Sequence, residues 1–117
     1  PFDIKAIPAL VEDGKIVLVD ITADWCITCQ VNKKVVLRRD SILHSLLDEH
    51  FVAMKADWTR PNDEISRYLA SFGRFGIPFN VVYGPNAKKP IVLPEILTES
   101  AVIQAFKTAG APPATAN

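Results

Sequence analysis

The run Lys15-Ile-Val-Leu-Val-Asp-Ile-Thr22, with Cys26-Ile-Thr-Cys29 four residues beyond its end, constrains this chain more than any other feature. Four residues of the run are β-branched and apolar, and the stretch is continuous enough for a central strand buried on both faces. Past Trp25 the pattern turns helical, which puts Cys26 at the first turn of a helix entered directly from that strand. Unpaired backbone N–H groups and the positive helix end stabilise a thiolate at that position. Cys29, in the same turn, is close enough to attack a mixed disulfide formed at Cys26. The spacing therefore predicts an attacking thiol at Cys26 and a resolving thiol at Cys29.

Other uses of two cysteines carry less. A free cysteine is often only a small hydrophobe. CxxC is also half of a zinc or iron–sulfur site, but the chain has no second cysteine pair, and His44 and His50 lie on other elements. Haem attachment requires a histidine where Gln30 stands. The strand–CxxC–helix context favours redox chemistry, with no cofactor and no metal expected. Thirteen basic residues balance thirteen acidic ones, which removes the electrostatic case for a nucleic-acid partner. No apolar run is long enough to span a membrane. The cluster Lys33, Lys34, Arg38, Arg39 reads as a solvated helix face.

Asp20 interrupts an otherwise apolar strand six residues before Cys26. A carboxylate buried beneath the cysteines is costly unless neutralised or hydrated. Its expected work is to take the proton of Cys29 as that thiol attacks, while as a like charge it raises cysteine pKa values. The alternative is a solvent-facing acid at a sheet end. Trp25 reads equally as a shield over the disulfide that packs against a partner and as a core aromatic. In Phe75-Gly-Ile-Pro-Phe79 a proline stands just before a strand that should be central. A cis bond there would set the turn against the cysteines and leave the Ile77 backbone free for an extended substrate.

The remaining segments give the order strand, helix, helix, strand, helix, strand, strand, helix. Ile4 to Ile7 is expected as a short edge strand before them, ahead of a turn at Glu12-Asp13-Gly14. After Trp25, Val31, Val35 and Arg38 recur near one helical face, with Cys29, Lys33 and Val36 on a neighbouring stripe. Asp40 or Ser41 caps the second helical segment, and Pro61 suits the first turn of the third. Pro90-Ile-Val-Leu-Pro94 belongs at a sheet edge, and Thr98 opens the last helix. The expected fold class is α/β, one central mixed β-sheet flanked by helices on both faces. A single domain is expected over residues 1–110, with a frayed tail over 111–117. The opening at Pro1 without Met reads as a processed or excised domain.

Ala23-Asp-Trp-Cys-Ile-Thr-Cys29, with Asp20 before it and Gly76-Ile-Pro78 after it, resembles a thioredoxin-like domain. More narrowly, Val19 to Cys29 resembles the C-terminal periplasmic domain of the bacterial membrane thiol:disulfide interchange proteins, including relatives linked to copper tolerance. Lys55-Ala-Asp-Trp-Thr59, Phe72 to Pro78, Val82-Tyr-Gly-Pro85 and Leu93 to Thr98 are similar to the same family. The resemblance implies a protein-disulfide reductase in the periplasm, on an inner-membrane protein. A membrane-embedded cysteine pair reduces this domain, which then reduces periplasmic thiol proteins or a second periplasmic domain. It also implies Cys26 as nucleophile, Cys29 as resolving thiol, Asp20 as buried acid and Pro78 as the cis-proline, and Trp25, Ile77, Pro78 and Phe79 are the residues expected at the substrate. The domain is expected to be monomeric. A free-standing thioredoxin, oxidase or isomerase is the alternative within this chemistry, and a copper- or zinc-binding module the alternative outside it. Two departures stand out. Lys33 replaces a second acid of the better-known members, and Phe79 replaces the threonine that usually follows the proline in thioredoxins, a bulk expected to reshape the groove.

Overall fold

The computed structural model describes residues 2–110, so the tail expected over 111–117 lies outside the described residues. Strand β1 (Ile16–Thr22) lies inside the sheet, as its unbroken apolar run requires. It pairs in parallel with β2 (Phe51–Asp57) on one side and antiparallel with β3 (Phe79–Tyr83) on the other. The two-residue β4 (Ile91–Val92) closes the order β2-β1-β3-β4 at the edge, where flanking prolines cost no ladder bond. The sheet is mixed and helices cover both faces, as expected.

Alternation along β1 divides the core in two. Ile16 and Leu18 face one layer with Val82, Leu37 and Ile42, together with Val102 and Phe106 of α5 (Glu99–Ala109). Val17, Val19 and Ile21 face the other with Val81 and Phe79, against α1 (Ile7–Glu12) and α4 (Asp63–Ser71). Asp20 shares the first face with Leu18, so its carboxyl points to the side on which α2 (Ile27–Asn32) lies. Among the described residues no helix is long and apolar enough to cross a membrane.

The N-terminal expectation is corrected. Ile4 to Ile7 is not an edge strand but a 3₁₀ turn, Ile4–Ala6, running into α1. Ile4, Ile7, Leu10 and Val11 repeat at helical spacing and pack on the second layer, and Pro8 sits in the first turn, where no N–H is required. Gly14, at φ 88°, then makes the turn into β1.

Of the two stripes after the cysteines, Cys29 and Val36 are buried, whereas Val31, Val35 and Arg38 face outward. The helix continues from α2 into a π-helical turn, Lys33–Leu37, whose closing bond runs from the Arg38 N–H to the Lys33 carbonyl. The added residue brings both Val36 and Leu37 inward. Helix α3 (Asp40–Leu46) starts without a side-chain cap, because Arg39 takes the N-cap position and the Ser41 hydroxyl instead donates to the Glu99 carboxylate. Pro61 precedes α4 and its cap, Asn62, so it stands outside the first turn. Asn62 and Thr98 cap α4 and α5 by accepting from Ile65 and Ala101 N–H groups.

Candidate active site

Strand β1 ends at Thr22, and the chain turns through Ala23-Asp-Trp25 into α2. Three bonds hold that turn. The Cys26 N–H donates to the Ala23 carbonyl, Gln30 Nε2 donates to the same oxygen, and the Asp24 N–H donates to Thr59 Oγ1. Cys26 is therefore the N-cap of α2, in extended backbone conformation, and its Sγ accepts the Cys29 N–H at 3.2 Å. Cys26 and Cys29 are joined in a disulfide with Cα atoms 5.3 Å apart. Both are buried, and they form a small cluster of their own with Ala23, against which Ile77 packs.

The cap is what separates the two cysteines chemically. An orphan helix N–H is directed at Cys26 Sγ, the kind of donor that favours a thiolate on the sulfur it meets.

Asp20 stands on β1 two residues before the strand ends at Thr22. It is half-buried, and Asn80 Nδ2 donates to its Oδ1 at 2.8 Å from the facing position on β3. Burial pushes the Asp20 carboxyl above its ordinary range, and the Asn80 bond and the charges of Lys33 and Lys55 oppose that rise. Lys33 is thus not merely part of a solvated face. It is half-buried and within electrostatic reach of both Asp20 and Asp57, while Lys34, Arg38 and Arg39 are exposed.

Trp25 is 59% exposed, with its indole N–H donating to the Thr59 carbonyl, so the core-aromatic reading is excluded. The Ile77–Pro78 peptide is cis. Pro78 is buried, Ile77 is half-buried against the disulfide, and among the described residues the Ile77 backbone has no hydrogen-bond partner. Phe79 departs from expectation. It is 1% exposed, and its ring packs against Phe72 and Tyr68 on the opposite face of the sheet, under the Arg74 guanidinium. Alternation turns its side chain away from the cysteines, so its bulk serves the core and does not line a groove. Ile27 and Phe75, near Trp25 and Ile77 in sequence, are also exposed, Phe75 at 82%.

Three residues at this site were not singled out from sequence. Asn80 is an amide inside the apolar run Phe79-Asn-Val-Val-Tyr83, a visible signal. Gln30 and Asn32 give no such signal, since polar residues on a helix are ordinary. Asn32 is nonetheless buried, with Nδ2 donating to the Glu95 carbonyl and Oδ1 accepting the Leu97 N–H.

Comparison with known proteins places this geometry among relatives. Residues 5–85, which contain both cysteines, Asp20 and Pro78, match a family model described as thioredoxin-like. A 65-residue stretch is 32% identical to the thiol:disulfide interchange protein DsbD of Yersinia pestis, covering 56% of this chain and 11% of that protein. The chain thus spans about a tenth of the length of the curated relatives it matches. The oxidised C-terminal domain of Neisseria meningitidis DsbD superimposes with a TM-score of 0.67 at 24% identity, over 92% of this chain and 96% of that one. A thioredoxin from Thermus thermophilus superimposes at 0.62 with 20% identity, over 88% of this chain and 79% of that one.

Proposed function

The chain belongs to the thioredoxin-like family, and on that premise we propose that residues 1–110 form one thiol:disulfide oxidoreductase domain that passes electron pairs to partner proteins. The observation that carries this reading is the Cys26–Cys29 disulfide at a helix start, with the Cys29 N–H on Cys26 Sγ and the Asp20 carboxyl on the strand before it.

In the reduced domain the Cys26 thiolate attacks one sulfur of a partner disulfide. A Cys26–partner bond forms, and the other partner sulfur leaves as thiolate and takes a proton from solvent. Cys29 then gives its proton to Asp20, directly or through water, and its sulfur attacks Cys26 Sγ. The Cys26–Cys29 bond forms, and the second partner sulfur departs and is protonated. The partner gains two electrons and two protons, and the domain is left oxidised. A dithiol upstream reverses the exchange and restores both thiols.

Trp25 and Ile77 form the docking surface, with the buried Pro78 behind Ile77 in the cis turn. The unpartnered Ile77 backbone offers main-chain hydrogen bonds to an extended segment beside the disulfide. The likeness to DsbD of Yersinia pestis and to its Neisseria counterpart's C-terminal domain supports a place in a relay. In that relay a membrane-embedded cysteine pair of the same protein is the donor. Periplasmic thiol proteins or a second periplasmic domain are the acceptors, and this domain works in the periplasm.

Equilibration against defined dithiol buffers tests the direction of flow. A reduction potential of roughly −210 to −270 mV is expected, at or just above that of thioredoxin. A value near about −120 mV overturns the reductive reading and makes the domain a disulfide donor. Cys29→Ala is expected to trap partners as mixed disulfides at Cys26, and Cys26→Ala to trap none.

A further inference from the structure

An asparagine side chain is costly to bury without partners, and the Asn80 side chain is almost wholly buried, at 2% exposed. Its neighbours along β3 are Phe79 and Val81, and the next residue on its own face is Val82. Packing alone would favour an apolar side chain there. What the amide provides instead is a donor, since Asn80 directly faces Asp20 in the β1–β3 register and its Nδ2 lies 2.8 Å from Oδ1. Among the described residues this is the one side-chain hydrogen bond to that carboxyl. The backbone holds the donor firmly, because the Asn80 carbonyl accepts the Leu93 N–H and so ties β3 to the next segment.

We infer that Asn80 is a positioning residue for the redox reaction: its amide orients the Asp20 carboxylate and favours its ionised form, extending proton uptake from Cys29 to lower pH. The inference rests on the reading of Asp20 as proton acceptor. The other charged groups acting on Asp20 are Lys33 from the π-helical turn and Lys55, its partner on β2. Both lysines favour the same ionised form, but as mobile charges on long stems they fix neither rotamer nor direction. A neutral amide locked in a strand supplies both.

The carboxyl ¹³C resonance of Asp20 in the oxidised domain reads the effect without any catalysis. Its titration midpoint is expected to move to higher pH in Asn80→Leu, because the lost donor favoured the charged form. Asn80→Ala is measured alongside, so that neither overpacking nor a failure of the leucine variant to fold decides the result. Asn62→Ala, which removes a remote helix cap, serves as a destabilised control and should leave the midpoint in place. An unmoved midpoint in the Asn80 variants, or an equal shift in Asn62→Ala, overturns the inference.

The companion measurement is the rate at which Cys29 resolves a preformed Cys26–glutathione mixed disulfide, followed against pH. Its acid limb should shift upward with the midpoint, so that the rate near pH 5 falls about fivefold in Asn80→Leu. In an Asp20→Asn background the same substitution should shift nothing. A raised midpoint with an unmoved acid limb supports the role of Asn80 toward the carboxyl and removes Asp20 from proton transfer. The two readings therefore fail separately.

Discussion

At the scale of single residues, the proposed proton transfer turns on Asp20, a carboxyl whose burial outweighs one hydrogen bond and two nearby lysines. Because its pKa is raised in the folded state, the folded protein holds this proton to higher pH than the unfolded chain does. The associated stability is present below the ordinary value of 3.8 and is lost as pH rises through the raised value. Asp20→Asn, neutral at every pH, should therefore match the wild type in urea midpoint at strongly acid pH and exceed it at pH 7. The same variant should lose resolving rate at pH 7 by roughly 10²-fold, the low end for a general base. Opposite signs for stability and rate would distinguish a functional acid from a structural one. Equal losses in both would argue that Asp20 only supports the fold.

At the scale of elements, α2 is short and is held by its surroundings more than by its own ladder. Gln30 ties it back to the loop after β1, and Asn32 ties it forward to the segment before α5 through two backbone groups. Removing a buried amide that satisfies two partners leaves a carbonyl and an N–H unpaired. Asn32→Ala is expected to cost on the order of 2–3 kcal/mol in urea denaturation and to speed hydrogen exchange at the Leu97 amide. Exchange unchanged at Leu97 would mean that the segment is held by packing of Leu93 and Leu97 alone. The π-helical turn belongs to this scale too. By adding one residue it sends Val36 and Leu37 inward together and leaves Val31 and Val35 outside.

At the scale of the whole molecule, the sheet and its last helix meet at one tight contact. A Cβ on Gly84, just after β3, would lie 2.2 Å from the Ala109 carbonyl oxygen and 2.5 Å from its Cβ at the end of α5. Neither neighbour is the far end of a flexible side chain, so β3 and α5 would have to separate. Gly84→Ala should destabilise the protein by about 3 kcal/mol or more in equilibrium denaturation, beyond an ordinary surface change. Its Cys26–Cys29 potential should stay near that of the wild type, since Gly84 lies past the far end of β3 from the disulfide. A large shift in potential would mean that docking of α5 is coupled to the redox site.

Much of this protein is determined locally and is legible in its residues. The buried β1 run, the CxxC at a helix start, the caps at Asn62 and Thr98 and the edge position of Ile91–Val92 follow from periodicity and from groups that satisfy near neighbours. The first helix was open to the same reasoning, since its apolar residues recur at helical spacing, but the short run Ile4–Ile7 taken alone reads equally as strand. Tertiary structure decided what depends on partners distant in the chain. Lys33 reaches Asp20 only because a π-helical turn and a sheet converge there, and Asn80 meets Asp20 only through strand register. Phe79 follows the cis turn in sequence yet points to the far layer, because a pleated strand reverses its side chains at every residue. Sequence spacing can place a residue next to a site, but which way it faces depends on pairing across the sheet.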